Sequence, residues 1–544
     1  MMRRILLTLL LVTTFASQSL FAQTATIKVT PAEKKIAEAI TAKQLSDYLH
    51  FVASDEMEGR DTPSRGLDTT AKFIGMNLSR WGFKPAGDDG TFYQKFALRN
   101  ETVDPALNVL KVGDTTFTMF DDYFRLQGDA KIDAPMVFVR DGWMVKAKGI
   151  DAYKGVDVSG KIVVIYGTGF PRGDRATSPP TGVVEADLKG TKGTDWADPI
   201  TYAKQNGAKA VILIGSPQAQ GAWSQIKGFF SRGNMQPEKL RDASTDKAMP
   251  VMLVSNKVAD AIFAGESGNK DSAASFAITK SASITSAAKI EMKSTQNVVA
   301  IWEGSDPVLK NEMVAVGAHY DHVGINLNAP GPDKIWNGAD DDGSGTVGVL
   351  AIAEALAKSV KRPKRSILFV WHAGEEKGLW GSEIFNKFPT VDIKQVIAQL
   401  NVDMIGRSKP ASDTNPKNKE LSGPTGIYVI GSDMMSTAMG NIVKGTNAAY
   451  LKLGYDYRYD APNDPNRFFF RSDHFNYAVN GIPIAFWFDG EHEDYHGPDD
   501  NPDKIDYAKM EMISRTIFLT MWELSDLKVR PKVDKQLPPE LTQR

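Results

Sequence analysis

The sequence predicts an α/β fold with a mixed, largely parallel central sheet flanked by helices. Four short, nearly continuous apolar runs indicate strands that are buried on both faces, as in parallel sheets. They are residues 313–318, 366–372, 396–402 and 483–488. Residues 345–360 lie between the first two runs and repeat apolar side chains at helical spacing. Strand, helix and strand therefore alternate along the chain.

A second, β-rich domain is predicted between about residues 131 and 290. Its β-rich pieces, residues 155–166, 202–215 and 249–255, carry no cluster of metal-binding residue types. A chain of 544 residues usually contains more than one domain. If this domain is an insertion, residues 31–130 and 291–530 together form the other domain.

Composition excludes some classes of partner and of covalent cross-link. The chain has 64 basic and 66 acidic residues, and this near-zero net charge predicts no nucleic-acid partner. It contains no cysteine, so disulfides and a lipid-modified cysteine are excluded.

Residues 1–22 are predicted to be a secretory signal peptide. The chain opens with M-M-R-R, continues with an apolar run at residues 5–12, and reaches a small-residue stretch that ends at Ala22. That run is far shorter than the roughly 20 residues that span a membrane, so no stable membrane anchor is expected. We therefore expect export to the periplasm or the extracellular space.

The sequence N-G-A-D-D-D-G-S-G at residues 337–345 indicates a metal site. Three consecutive carboxylates need a compensating cation if they share a small volume, and a divalent metal supplies one. Further ligand-type residues follow the predicted strands, where α/β sheets bind their ligands. They are His319, Glu375, Glu376, Asp403 and His496. One such residue is usually a cap or a loop residue, but five at corresponding strand ends predict a site.

Two other motifs overlap the acidic run. Residues 343–348 fit G-x-G-x-x-G, but the acidic residues before them would repel a pyrophosphate, and the basic residues 361–365 stand where a ribose-binding acid belongs. Ser344 is not in a nucleophile motif, since Asp342 occupies the place of the first glycine of G-x-S-x-G. We expect Ser344 to cap the following helix.

The ordered motifs H-Y-D, G-A-D-D-D-G-S-G, G-E-E, N-V-D-M and Y-H-G-P resemble those of the two-zinc aminopeptidases and carboxypeptidases of metallopeptidase family twenty-eight. Residues 54–70 and 81–96 resemble the amino-terminal segment of that family. The β-rich region resembles the protease-associated (PA) domain that is often inserted into it. The resemblance implies a zinc-peptidase fold with a PA-type domain at residues 131–290.

The resemblance also implies a role for each site residue. Asp341 would bridge two zinc ions; His319 and Asp403 would complete one zinc site, and Glu376 and His496 the other. Glu375 would not bind metal but would act as general base and acid.

Three further expectations concern residues around the ligands. Asp321 would hold the His319 imidazole by a hydrogen bond. Tyr495 would donate a hydrogen bond to the developing oxyanion, as in the carboxypeptidase branch. The peptide bond between Asp341 and Asp342 is cis in the family, and we expect it to be cis here.

The resemblance implies a secreted zinc exopeptidase that acts on peptides, with an aminopeptidase favoured by analogy with bacterial relatives. The alternatives are a carboxypeptidase, a glutaminyl cyclase-like acyltransferase with one zinc, and a metal-free binding protein like the transferrin receptor branch. The sequence gives no indication of side-chain preference or oligomeric state.

The R-S-D-H sequence at residues 471–474 resembles a family motif close to the substrate pocket, and the loop 455–466 before it has no recognised ligand spacing.

Overall fold

The computed structural model describes residues 27–167, 177–243 and 247–539, and it divides the chain into two compact units. Unit 1 combines the chain up to Gln94 with Gln296–Arg544, and unit 2 is Lys95–Thr295. The chain thus leaves unit 1 earlier than the expected boundary near residue 130. The expected signal peptide at residues 1–22 lies outside the described residues, so export stays a prediction. Within the described ranges, no helix is long and apolar enough to cross a membrane.

A mixed sheet forms the centre of unit 1. We number seven of its strands β1 to β7: β1 Ala288–Trp302, which belongs to unit 1 from Gln296 onward, β2 Met313–His319, β3 Ser366–His372, β4 Val396–Val402, β5 Gly426–Ile430, β6 Gly454–Asp456 and β7 Ile484–Phe488. Their spatial order is β1-β3-β2-β4-β7-β5-β6. The pairs β3–β2, β2–β4, β4–β7 and β5–β6 are parallel, whereas β1 and β7 pair antiparallel with β3 and β5 respectively. The predicted mixed, largely parallel sheet is confirmed.

The four apolar runs form β2, β3, β4 and β7, and every residue of these strands is buried. Continuous burial follows from helices on both faces of a parallel sheet, which leave neither strand face exposed to solvent. The helices of unit 1 are Pro31–Ala37, Ala42–Val52, Arg65–Trp81, Gly345–Lys358, Trp380–Lys387, Ser432–Met435, Thr437–Ala449, His474–Val479 and Tyr507–Asp526. Short strands lie at Lys84–Pro85, Gly324–Ile325 and Ile335–Trp336.

The helix Gly345–Lys358 follows the acidic run directly and fixes its position. It was predicted over residues 345–360 and ends two residues earlier, at Lys358. Nearly all of its residues are buried, and it packs against Ala42–Val52 and Tyr507–Asp526 as well as β2. The acidic run therefore leads directly into a buried helix that packs against β2.

Unit 2 is β-rich, and the assignment of a PA-type insert stays a prediction. Its eight-stranded sheet has the order Thr115–Phe117, Val109–Val112, Phe276–Ser286, Ala130–Phe138, Ile162–Tyr166, Ala210–Ile214, Val251–Val254 and Tyr123–Gln127. The helices Pro199–Gln205, Pro217–Gly221, Trp223–Phe230 and Asn256–Phe263 belong to the same unit. Both groups of metal-ligand residues found in the described part of the chain lie in unit 1.

Candidate metal centre

The carboxyl ends of β2, β3, β4 and β7 bring the five predicted ligands together. His319 is the last residue of β2, Asp403 follows β4 directly, and Glu376 lies four residues beyond β3. Two groups of donor atoms result, one of His319, Asp341 and Asp403, the other of His322, Asp341, Glu376 and His496. Parallel strands place their carboxyl ends at one edge of the sheet, which is why residues far apart in sequence meet here.

Asp341 belongs to both groups. Its Oδ1 lies 3.3 Å from His319 Nε2, and its Oδ2 lies 3.0 Å from His496 Nε2. The two carboxylate oxygens therefore face different imidazoles, which is the arrangement that a carboxylate between two metal ions requires. The Asp341–Asp342 peptide bond is cis, as expected.

The first group is held by contacts on its outer side. His319 Nε2 lies 3.6 Å from Asp403 Oδ1, and Ser472 donates a hydrogen bond of 2.6 Å to Asp403 Oδ2. His319 Nδ1 lies 3.1 Å from the backbone carbonyl of Asp321, whereas the Asp321 carboxylate is 3.7 Å away. That carboxylate instead accepts a 3.2 Å hydrogen bond from the backbone amide of Glu375. The carbonyl of Asp321, not its carboxylate, is thus placed to orient the His319 ring.

The second group contains a residue that sequence reasoning missed. His322 Nδ1 lies 3.0 Å from Glu376 Oε1 and 3.6 Å from Asp341 Oδ2, while His496 Nε2 lies 3.0 Å from Glu376 Oε2. His322 is fully buried. It is the second histidine of A-H-Y-D-H, so the motif carries a signal for it, although the family resemblance assigns a ligand role only to the first histidine.

The donor atoms fit a cation better than they fit each other. Asp341 Oδ2 and His496 Nε2 are close, yet neither has a hydrogen bond of acceptable geometry. Burial lowers the pKa of His319, but Asp403 and Glu375 outweigh it and hold that pKa well above its ordinary value. Burial raises the pKa of Asp341, but His319 and His496 hold it well below the usual carboxyl range. Imidazole nitrogens and carboxylate oxygens in groups of three and four suit zinc.

Glu375 lies beside the first group without belonging to either. Its Oε2 is 3.9 Å from His319 Nε2. Burial, with Glu376 and Asp403, raises the pKa of Glu375 well above its ordinary value, although His319 opposes the change. A carboxylate with a raised pKa accepts a proton more readily than an ordinary one, as a general base must.

A pocket opens onto the first group. His319, Asp341, Glu375 and Asp403 line one side of it. The other lining residues are Met404, Phe468, Arg471, Phe486, Phe488, Glu491 and Tyr495. Tyr495 stacks on His496 with the ring centroids 4.1 Å apart, and burial raises its pKa, so the phenol keeps its proton. Arg471 donates a 2.7 Å hydrogen bond to Glu491.

The prediction that the Ser344 side chain caps the helix Gly345–Lys358 is wrong. Ser344 does not accept from the helix; its hydroxyl donates to the Asp340 carbonyl and accepts from the Ile405 amide, both at 2.9 Å. Asp342 accepts from the Gly345 amide at 2.8 Å and from the Met404 amide at 3.1 Å. Two residues of the acidic run therefore have different roles: Asp342 caps the helix, and Asp341 is shared by the two donor groups.

Arg60 joins the loops that carry these residues. Its fully buried guanidinium donates to the backbone carbonyls of Val52, Tyr320, Asn337 and Gly338 at 2.7 to 2.9 Å. Its charge also lies near the buried acidic residues Asp321, Asp342 and Asp341. Arg60 belongs to the amino-terminal segment at residues 54–70, which resembles the family. The resemblance by itself gives no role for this arginine.

Comparisons with known proteins find similar chains. The chain is 31% identical over 249 residues to a probable leucine aminopeptidase of Arthroderma otae, covering 44% of this chain and 60% of the relative. It is 34% identical over 209 residues to the probable leucine aminopeptidase 2 of Aspergillus oryzae, covering 37% and 35%. The chain thus spans at most 60% of the length of these curated relatives.

A solved structure, the aminopeptidase from Aneurinibacillus sp. strain AM-1, is similar over 93% of this chain and 99% of its own, with 18% identity and a TM-score of 0.46. Residues 297–521 match the model of Peptidase family M28. This range contains every residue of both donor groups, and the match confirms the resemblance read from the motifs. The chain therefore contains a domain of peptidase family M28 at residues 297–521.

Proposed function

We propose that this protein is a zinc-dependent aminopeptidase that binds two zinc ions and hydrolyses amino-terminal residues from peptides. The observation that supports it best is the position of Asp341, whose two oxygens face the two groups of donor atoms. A single-zinc acyltransferase would need only one of the two groups, and Asp341 belongs to both. The leucine aminopeptidase relatives favour attack at the amino end of the peptide.

Each group would hold one zinc ion. His319, Asp341 and Asp403 would bind the first, and Asp341, Glu376 and His496 would bind the second. Zinc, when bound, acts as a Lewis acid that polarises a carbonyl group and makes water nucleophilic at neutral pH.

Glu375 moves the proton in this mechanism. Its carboxylate lies beside the first group, accepts a proton from the attacking water and delivers it to the nitrogen of the leaving amine. The raised pKa of Glu375 favours the first of these steps, in which the carboxylate accepts the proton. Tyr495 keeps its phenolic proton and lines the same pocket, so it can donate a hydrogen bond to the developing oxyanion.

The pocket favours an apolar amino-terminal side chain. Met404, Phe468, Phe486 and Phe488 are all at most 5% exposed and line it together. Burying an apolar side chain among them is favourable by about 1.5 to 3 kcal/mol. The charges of Arg471 and Glu491 neutralise each other in their ion pair.

The test is hydrolysis of matched peptides with free or blocked ends. With zinc present, the wild type should cleave Leu-containing peptides whose carboxyl end is amidated and should not cleave the same peptides with an acetylated amino end. Glu375→Gln is the matched inactive control. Cleavage that needs a free carboxyl end would indicate a carboxypeptidase, and cyclisation of an amino-terminal Gln would indicate the acyltransferase.

A further inference from the structure

We infer that the two metal positions are unequal, because His322 is a fourth protein ligand in the second group while the first group has three. The inference rests on the proposed function and adds to it one ligand and a different role for each metal position. The second position would be closed by protein donors, and the first would keep an open position for substrate and water.

The spacing of the donor atoms supports four ligands. A tetrahedral zinc ion with bonds of roughly 2.0 to 2.1 Å keeps its donors roughly 3.3 to 3.4 Å apart. In the second group, His496 Nε2 lies 3.0 Å from oxygens of both Asp341 and Glu376. His322 Nδ1 lies 3.6 Å from the same Asp341 oxygen and 3.0 Å from the other oxygen of Glu376. His322 thus stands at ligand spacing, as His496 does.

The His322 ring is closely packed, and its polar contacts lie on one side. It packs on Gly338, where an added Cβ would lie 2.4 Å from His322 Cγ. Its backbone amide donates a 3.1 Å hydrogen bond to the Arg60 carbonyl, and its Nε2 has no hydrogen-bond partner. The only polar contacts of the ring among the described residues are those that Nδ1 makes with Asp341 and Glu376.

The two groups also differ in their contact with the pocket, and this difference does not depend on the number of donors. All three residues of the first group line it, together with Glu375. Of the second group, only the shared Asp341 lines it; His322, Glu376 and His496 do not. Four protein donors are typical of structural zinc sites, and three with an open position are typical of catalytic ones. The donor count and the pocket therefore assign substrate binding to the first position.

On this assignment the second group has a positioning role. Its four residues, when they hold zinc, would keep Asp341 and Glu376 in place beside the pocket. His322 would not touch substrate; it would hold the closed ion that positions Asp341.

The test counts imidazole ligands by zinc X-ray absorption on the wild-type protein loaded with two zinc ions. The inference expects three imidazoles over the two ions, from His319, His322 and His496. Two imidazoles over two ions would overturn it, because His322 would then only donate a hydrogen bond to Glu376. A wild type that binds no zinc would overturn the proposed function and this inference with it.

A variant gives the second measurement. In His322→Gln, zinc titration should show one site weakened by more than about 100-fold, beyond the usual cost of losing a hydrogen-bond partner of a ligand, and the other little changed. The imidazole count should fall to two over two ions. The matched control is His474→Gln, which removes a buried histidine outside both groups and should leave both zinc sites filled. Equal zinc affinities in His322→Gln and the wild type would contradict the inference.

Discussion

Arg60 donates a 2.9 Å hydrogen bond from Nε to the backbone carbonyl of Tyr320, a residue 260 positions further along the chain. Tyr320 stands between His319 and His322 in the sequence, so this bond fixes the loop that carries one histidine of each donor group. The same guanidinium bonds to the carbonyls of Asn337 and Gly338, just before the acidic run. One side chain of the amino-terminal segment therefore sets the distance between two ligand-bearing loops.

Arg60→Lys should destabilise the fold and weaken both zinc sites. Lysine keeps the charge but lacks the planar fork, so several buried carbonyls lose their donor, at a cost of about 3 kcal/mol or more. Urea unfolding and zinc titration measure the two effects. The control is Arg65→Lys, which changes an exposed arginine that pairs with Glu58. Equal stability of the two variants would contradict this role of Arg60.

Asp341→Asn should weaken both zinc sites together. The amide removes the negative charge and one of the two acceptor oxygens that face His319 and His496. Asp403→Asn should weaken one site only, because Asp403 belongs to the first group alone. Zinc titration, with the number of filled sites as the readout, compares the variants. Single-site losses in both would mean that Asp341 does not bridge.

Glu375→Gln should keep both zinc ions and lose activity. The amide cannot accept the proton of the attacking water, and a general base contributes a factor on the order of 100 to 10,000. Zinc content and kcat are measured on the same preparation. Turnover at the wild-type rate would remove Glu375 from the mechanism.

The Arg471–Glu491 ion pair should make the pocket disfavour substrates with a charged amino-terminal side chain, because the two charges in its lining neutralise each other. Both side chains are partly exposed, at 43% and 41%, so the pair itself is weak and each charge is available once its partner is removed. Glu491→Gln should raise kcat/KM for acidic amino-terminal residues relative to leucine by about tenfold, and Arg471→Gln should do so for basic residues. The double variant is the control and should favour neither charge. A change in the same direction in both single variants would contradict the expectation.

His474 should make stability fall in acid. Burial lowers the pKa of His474 to about 4, below its ordinary 6.5 in the unfolded chain. Because the unfolded chain then binds more protons, the free energy of unfolding falls as the pH drops from about 6.5 towards 4. That difference in pKa corresponds to about 3 kcal/mol.

His474→Gln isolates this effect. Glutamine does not titrate and still offers an N–H to the Phe469 carbonyl, which His474 Nε2 contacts at 2.8 Å. Urea unfolding from pH 7 to pH 4 should show the stability difference between wild type and variant moving by about 3 kcal/mol in favour of the variant. A difference that does not change with pH would assign acid sensitivity to other groups.

The strands and the types of site residue could be predicted because their causes are local. The runs that form β2, β3, β4 and β7 are almost continuously apolar, and such runs are typical of strands that are covered on both faces. His319 and Asp403 are predicted at the site because they lie at or just beyond the ends of such strands. The carboxyl ends of neighbouring parallel strands meet at one edge of the sheet. The assignment of Asp341 as the bridge came from family resemblance alone.

The sequence by itself determined the α/β alternation, the family-type motifs and the residue types that meet at the strand ends. Only the tertiary structure decided that His322 Nδ1 faces Glu376, that Asp342 and not Ser344 caps the helix, and that Arg60 reaches Tyr320. Periodicity and spacing report contacts within a few residues along the chain. Ring orientation and hydrogen bonds between distant loops depend on which side chains fill the same small volume, and that is fixed only when the elements pack.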